Sequence, residues 1–538
     1  MSFPNDNKDD NDAQPRVSHD GMVDEKPALQ GEGQTKEIAA ASVALEAAIA
    51  ENKPQMFSKG MVKLWMIMFI GYLVSTMNGF DSSLMGAINA MKTYQDSFGL
   101  DGAGSTTGIV FITYNLGQIA SFPFCGLIAD ALGRRWCIFI GCLIVIVGTA
   151  IQTASPNLNQ FIGGRFVLGF GASIASAAAP AYTVELAHPA YRGIQAGIAG
   201  WTTYGTNLNI TNSWAWRTPT VVQAAMPAIA MALVLFFPES PRWLIAKDRT
   251  EEALQILAKY HGDGDVNNAI VQLEYREILE QRAMYRDENP WWDYRELLNT
   301  PAARYRTYMV IMMAFFGQWS GNNVVSYFMP QMIEAAGITN TNTQLLINAI
   351  NPIFSMIAAV AGASMLDRLG RRPMMLWSLT GALAMYILLT AFSAQSANTP
   401  DLSYGVIVAI YLFGICFAWG FTPLQTLYSV ECLENRTRAK GSGANFLFLN
   451  IAMVINTYGI SEGMQKIGWK LYIVYCVWIF VEIVIIYFFA VETAGKTLEE
   501  LSSIFDAPNP RKESTKRTKI EVDQAGNVLN VGDQGHLA

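Results

Sequence analysis

Long apolar runs separated by short polar or charged stretches set the pattern of this chain. Runs long enough to cross about 30 Å of hydrocarbon lie near residues 64–90, 107–128, 137–154, 161–181, 219–237, 308–330, 345–365, 373–393, 404–427, 442–463 and 469–490. Each is expected to be a helix, because a segment within a bilayer must satisfy its own backbone hydrogen bonds. A twelfth span is required between Arg192 and Pro219 if the basic loops are to share one side. Lys59 and Lys63, Arg134 and Arg135, Arg192, the segment 242–306, Arg368 with Arg371 and Arg372, and Arg436 with Arg438 and Lys440 then fall together. The opposite loops hold only Lys92, Arg217, Lys466 and Lys470. The positive-inside rule puts the basic side, and both termini, in the cytoplasm. Residues 1 to 58 are polar and lack the short apolar core of a cleaved signal peptide. They are expected to form a disordered cytoplasmic tail, with a little helix over Ile38 to Ala50.

Composition agrees with a polytopic membrane protein. Of 538 residues, 51% are hydrophobic and 15% charged, against roughly 25% charged in a soluble domain. The net charge of -7 comes largely from the tails and the central loop, so no nucleic-acid partner is implied. Cys125, Cys137, Cys142, Cys416, Cys432 and Cys476 lie in or beside apolar runs without metal-ligand spacing, and are expected to be buried thiols. No nucleophile–base set, metal cluster or phosphate loop is present in the sequence, so neither an enzyme nor a cofactor is expected.

One span departs from the apolar pattern. The run from Tyr308 to Pro330 carries Gln318, Asn322, Asn323, Ser326 and Tyr327 in its middle, at spacings near one helical turn. Polar groups at that depth face a bundle interior or a watery cavity. A polyhydroxylated ligand would satisfy such amides, since each offers donors and an acceptor; glue between helices is the other reading.

The chain also repeats itself. Asp130-Ala131-Leu132-Gly133-Arg134-Arg135 follows the second span, and Asp367-Arg368-Leu369-Gly370-Arg371-Arg372 the eighth. Val184-Glu185 leads to Arg192-Gly193 after the fourth, as Val430-Glu431 leads to Arg438 and Gly441 after the tenth. Pro238-Glu239-Ser240-Pro241-Arg242 follows the sixth, and Glu492-Thr493-Ala494-Gly495-Lys496 the last. Two halves of six spans with matching charges on one surface are what a two-bundle, alternating-access carrier requires. The expected units are 1–58, a tail; 59–237, a six-helix bundle; 238–306, a linker with short helices; 307–491, a second six-helix bundle; and 492–538, a cytoplasmic tail.

These duplicated loops, with Gly164-Arg165 in the fourth span, the Pro238 to Trp243 stretch, Gln318 to Tyr327 and Glu492 to Glu500, resemble the sugar porters of the major facilitator superfamily, and within them the fungal lactose-permease-like and hexose-transporter branch. The resemblance covers residues 60 to 506. It implies an all-α polytopic membrane protein of the major facilitator fold, with two six-helix bundles and short cytoplasmic helices between them.

Asp81 is the only carboxylate of the first span, eleven residues before Lys92, or about 16 Å of helix. Arg165 enters the fourth span from the same side, so the two charges most simply pair. Protonation of Asp81 would release Arg165; the resemblance assigns such a pair to proton coupling, while a static ion pair is the alternative. By resemblance, Gln318 and Asn323 match amides that bind sugar hydroxyls, with Asn322 and Tyr327 beside them. Gly317 stands where many relatives have glutamine and Phe328 where they have tyrosine, changes expected to widen or dry the pocket. In the tenth span Gly420 to Thr426 replaces the family's Pro-x-x-Trp pattern, with Thr426 at the usual tryptophan. Gln425 is expected to add a polar contact and Trp419 an aromatic face; Asn445 and Asn450 are weaker candidates. Glu482 in the last span is expected to face a partner group or the interface, without a transport role.

Asp130, Arg134, Arg135, Glu185, Arg192, Glu239, Arg242 and their counterparts Asp367, Arg371, Arg372, Glu431 and Arg438 are expected to form ion pairs that link the bundles at their cytoplasmic ends, favour the outward-open state and break on inward opening. Thr250-Glu251-Glu252 reads as a helix start within the linker, and Asn209-Ile210-Thr211 as an external glycosylation sequon.

The fifth span is short. Gly193 to Thr206 holds 14 residues, about 21 Å of helix, and the interval from Glu185 to Glu239 is 54 residues where Glu431 to Glu492 is 61. Either a short coding piece is missing or the bundle is incomplete. The expected function is proton-coupled symport of a sugar across the plasma membrane by a monomer, the sugar being a disaccharide such as lactose or cellobiose, or a hexose. Export of a specialised metabolite and non-transporting sugar sensing are the alternatives.

Overall fold

The computed structural model describes residues 59–186, 214–261, 264–285, 293–395, 402–434, 437–496, 498–522 and 528–536. The first half contains α1 (Lys59–Asn89), the short α2 (Lys92–Phe98), α3 (Ser105–Leu132), α4 (Arg134–Thr153), α5 (Leu158–Leu186) and the consecutive pair α6 (Trp214–Gln223) and α7 (Ala225–Val234). The linker folds as α8 (Pro241–Ala246), α9 (Thr250–His261), α10 (Ala269–Tyr285) and a 3-10 turn at Arg295–Leu297. The second half contains α11 (Pro301–Trp319), α12 (Asn322–Ala335), α13 (Thr341–Leu369), α14 (Arg371–Gln395), α15 (Leu402–Cys432), α16 (Arg438–Ile467) and α17 (Leu471–Phe489). Short helices α18 (Leu498–Asp506) and α19 (Pro510–Ser514) follow.

Seven helical stretches among the described residues are long and apolar enough to cross a membrane, and one of them, Lys440–Phe489, includes both α16 and α17. The chain is therefore a multi-pass membrane protein, and its membrane part is helical, as the apolar runs require. The tail departs from the all-α expectation: β1 (Lys516–Val522) and β2 (Val528–His536) pair as an antiparallel ribbon. The N-terminal tail, the whole fifth span, Arg192 and Asn209 lie outside the described residues.

Local chemistry sets where the helices start and stop. The duplicated glycines Gly133 and Gly370 have φ of 94° and 87°, a region open to glycine and costly for other residues. Each ends one long helix and starts the next, which explains why glycine occupies the same place in both repeats. Pro241 and Pro301 open α8 and α11 behind the caps Ser240 and Thr300, whose hydroxyls accept from Trp243 N and Ala303 N. One apolar cluster lies in the first half, with Ile70, Val145, Ala172 and Val234, and takes in Tyr260 of the linker helix α9. A larger one fills the second half and reaches across to Phe80, Leu84 and Phe111.

The halves touch at the ends opposite the basic loops. Gly104 N donates to Ser461 Oγ at 3.1 Å, Ser461 Oγ donates to Gly104 O at 2.7 Å, and the Ser105 and Tyr458 hydroxyls are 3.0 Å apart. A Cβ on Gly86 would lie 2.7 Å from Ser326 O, so α1 crosses α12 nearly backbone to backbone. That carbonyl is free to face α1 because Pro330, four residues on, has no N–H to offer it.

Candidate functional site

Asp81 and Arg165 meet as a buried pair. Arg165 Nη1 and Nη2 donate to the two Asp81 oxygens at 3.1 Å each, and both side chains are 1% exposed. Arg165 Nε donates to Val110 O at 2.8 Å, and its guanidinium lies 5.6 Å from the Tyr114 ring centroid. A third residue, not anticipated from the sequence, completes the group: Gln223, at the end of α6, donates Nε2 to Asp81 Oδ1 at 2.9 Å. Its Oε1 is buried without a hydrogen-bond partner. The available signal was a lone amide in the run Val221-Val222-Gln223-Ala224-Ala225. One turn before Asp81, Asn78 accepts from Tyr114 (2.5 Å) and Gln118 (3.2 Å) and donates to Ser176 at 2.7 Å.

The polar segment of the seventh span is not one continuous helix. It breaks at Ser320-Gly321, where Gly321 has φ of 89°, and resumes as α12. The break changes the helical phase, so the single polar face expected from spacing is divided. Gln318 and Asn323 still meet, Asn323 Nδ2 donating to Gln318 Oε1 at 3.4 Å, and both are buried. Asn322 is half-buried at the start of α12. Tyr327 is buried against Phe111, and its hydroxyl is 3.1 Å from Ser82 Oγ, one residue from Asp81. Sugar-side and proton-side candidates are thus adjacent across the halves.

Gln425 lies against Gly317: a Cβ there would be 2.1 Å from Gln425 Nε2. The room expected from glycine at 317 is therefore filled by an amide from α15, and the pocket is not widened at that point. Phe328, fully buried, packs against Phe111 at 5.2 Å between centroids. Gln425 Nε2 and Asn445 Oδ1 are buried without hydrogen-bond partners and are free to meet hydroxyls. Trp419 is half-buried against the core of the second half. Asn450 Nδ2 is spent on Phe446 O at 2.9 Å, a contact within its own helix.

The basic loops form two parallel arrangements. In the first, Glu239 accepts from Arg134 N and Arg135 N at 3.0 to 3.3 Å, Arg135 Nη1 donates to Phe237 O at 2.9 Å, and Arg134 pairs with Asp130 at 3.6 Å. In the second, Glu492 accepts from Arg371 N and Arg372 N at 2.9 and 3.0 Å, and Arg372 donates to Tyr487 O at 2.9 Å. Arg371 grips Glu431 through Nε and Nη2 at 3.2 and 2.8 Å and pairs with Asp367 at 3.0 Å. Glu239 and Glu492 are equivalent caps on the N-termini of α4 and α14. Glu492 was visible as a repeat member, but its capping role was not read from the sequence. Burial raises the Glu239 carboxyl above its ordinary value, although backbone N–H groups of Ser240, Arg135 and Arg134 pull it down.

These pairs correct one expectation. Each joins groups of the same half and does not link the bundles; they stand intact while the opposite ends of the halves are in contact. Intact pairs alone therefore do not hold those ends apart. The side chain of Glu185 and the whole of Arg192 are outside the described residues. Arg242 is exposed beside Trp243, and Arg438 is half-buried at the start of α16. Removing either cap leaves three backbone donors unsatisfied, Arg134 N, Arg135 N and Ser240 N for Glu239 and Arg371 N, Arg372 N and Ala494 N for Glu492. Glu492→Ala and Glu239→Ala should each cost about 1–3 kcal/mol, read as a lower melting temperature of the purified protein. The double variant should show nearly the sum, since the caps share no partner.

Comparison with known proteins places the chain. The family model for "Sugar (and other) transporter" matches residues 67–505. A high-affinity glucose transporter of Kluyveromyces lactis is 29% identical over 520 residues, covering 88% of this chain and 91% of that one. A quinate permease of Neurospora africana is 27% identical over 497 residues, covering 85% and 91%. Among solved structures, the proton:xylose symporter XylE of E. coli, bound to 6-bromo-6-deoxy-D-glucose, superimposes with a TM-score of 0.63 at 19% identity, over 82% of this chain and 99% of that one. The match over most of the chain and the two-bundle helical fold together show that it belongs to the sugar (and other) transporter family and has the major facilitator fold.

Proposed function

We propose that this protein is a proton-coupled sugar importer of the plasma membrane, working as a monomer by alternating access. Its two units, 59–237 and 307–491, would rock about the site between them, with 238–306 as the connecting linker and both termini in the cytoplasm. The observation that carries proton coupling is the Asp81–Arg165–Gln223 group, buried and one residue from the Ser82–Tyr327 contact that joins the halves. A proton on Asp81 removes the charge that holds Arg165. Gln223 remains a partner for the protonated acid: its Nε2 still donates to a carboxyl oxygen, or the amide turns over and its unpaired Oε1 accepts from the new O–H. The sugar is bound by Gln318, Asn322, Asn323, Tyr327, Gln425 and Asn445, with Trp419 as a flanking ring. Gln425 filling the space beside Gly317 favours a hexose over a disaccharide such as lactose or cellobiose.

The test is uptake of radiolabelled sugars by transporter-deficient cells that deliver the chain to their surface. Uptake of a hexose that rises as external pH falls supports the reading. No entry of hexose, pentose or disaccharide would overturn it, and retention of a metabolite on gene deletion would favour export instead.

A further inference from the structure

The second half contains a carboxyl group that the transport reading does not use. Glu482 on α17 is 0% exposed, and its Oε2 is 2.6 Å from Ser320 Oγ, in the break between α11 and α12. Its other oxygen has no hydrogen-bond partner, and neither does the indole Nε1 of Trp478, one turn earlier on the same helix.

Hydrogen accounting assigns the state of this group. Ser320 Oγ lies 2.5 Å from Phe316 O as well as 2.6 Å from Glu482 Oε2. A hydroxyl has one hydrogen, and a backbone carbonyl only accepts. Both short contacts are satisfied together when Ser320 donates to Phe316 O and the Glu482 carboxyl donates to Ser320 Oγ.

The surroundings agree. The groups around it are Ser320 and Trp319 on α11 and its break, Trp478 and Tyr475 on α17, Asn456 on α16 and Tyr386 on α14. Trp319 and Trp478 have ring centroids 5.2 Å apart, Tyr475 donates to Asn456 at 2.6 Å, and Tyr386 donates to Gly321 O at 3.0 Å. None of these is a cation, and no Lys, Arg or His pairs with Glu482 among the described residues. An ionised carboxylate there would be a buried charge without a counter-ion.

We propose that Glu482 is a second proton-binding site of this protein, and that its proton fixes the break in the seventh span. With the proton present, the Ser320 hydroxyl reinforces the last turn of α11, where Phe316 O also accepts from Ser320 N at 3.1 Å. On ionisation, the Ser320 hydroxyl turns to the carboxylate and the waiting Trp478 N–H becomes its second donor, so that turn loosens. The same turn includes Gln318, whose carbonyl is held by Asn456 at 2.6 Å, so the proton acts on the sugar-binding amide. This last consequence rests on the transport reading; the proton itself does not.

The test is infrared difference spectroscopy on the purified full-length protein near neutral pH. The carbonyl stretch of a protonated, hydrogen-bonded carboxyl should be present in the wild type and lost in Glu482→Gln, whose amide can still donate to Ser320. The band should shift to higher frequency in Ser320→Ala, where the acid loses its acceptor, and stay in place in Asp81→Asn. A wild-type spectrum unchanged by Glu482→Gln overturns the proposal, as does a band that Ser320→Ala leaves unmoved. None of these outcomes depends on which sugar, if any, is carried.

Discussion

Asp81→Asn should abolish concentrative uptake while leaving sugar exchange intact. The amide keeps an oxygen for Arg165 and a partner in Gln223, but it has no charge and binds no exchangeable proton. Coupling between two ligands is reciprocal, so a carrier that no longer exchanges the proton cannot use its gradient. The accumulation ratio should fall to about one, the value for an uncoupled carrier, whereas counterflow of preloaded sugar persists. Losing one partner of a buried pair costs about 3–5 kcal/mol when the other charge is left alone. Here Val110 O and the Tyr114 face remain with Arg165 and soften that loss. Folding should thus survive, and the surface amount of the variant, measured beside uptake, separates lost coupling from lost protein. Accumulation retained at wild-type level would show the pair to be a static bridge.

Gly169→Val should have a large effect on folding. A Cβ at Gly169 would lie 2.0 Å from Tyr114 O, and one at Gly117, on the facing helix, 2.2 Å from Phe166 O. Between helices in lipid there is no hydrophobic drive, and close backbone approach supplies the packing. Backbone on backbone has no flexible end that can move aside, so α3 and α5 would have to separate along their contact. The expected cost is beyond about 4 kcal/mol, the range reserved for overpacked cores, seen as loss of the monodisperse folded species in detergent. Gly163→Ala is the matched control: nothing lies within 4 Å of its Cβ, and it should fold like the wild type.

The architecture was legible because its causes are local. Run length, loop charge and the duplicated Leu-Gly-Arg-Arg stretches need only a window of sequence to be seen, and Gly133 and Gly370 show why the repeats keep glycine. Asp81 and Arg165 were legible for a different reason: lone charges at similar depth in hydrocarbon must find each other. What remained hidden depends on partners that sequence distance conceals. Gln223 lies 142 residues from Asp81, and Ser320 lies 162 from Glu482. The break at Ser320-Gly321 had a signal in its glycine, but periodicity across Gln318 to Tyr327 suggested one continuous face. Gln425 filling the space at Gly317 could not be read at all, because it is a packing relation between two spans.

In the proposed mechanism sugar and proton move together through the Asp81 site. The most direct measurement is the external pH of weakly buffered proteoliposomes containing the purified protein, on addition of a transported hexose. The wild type should alkalinise the medium on sugar addition, and Asp81→Asn should not. Sugar entry through the wild type with no change in pH would contradict the mechanism.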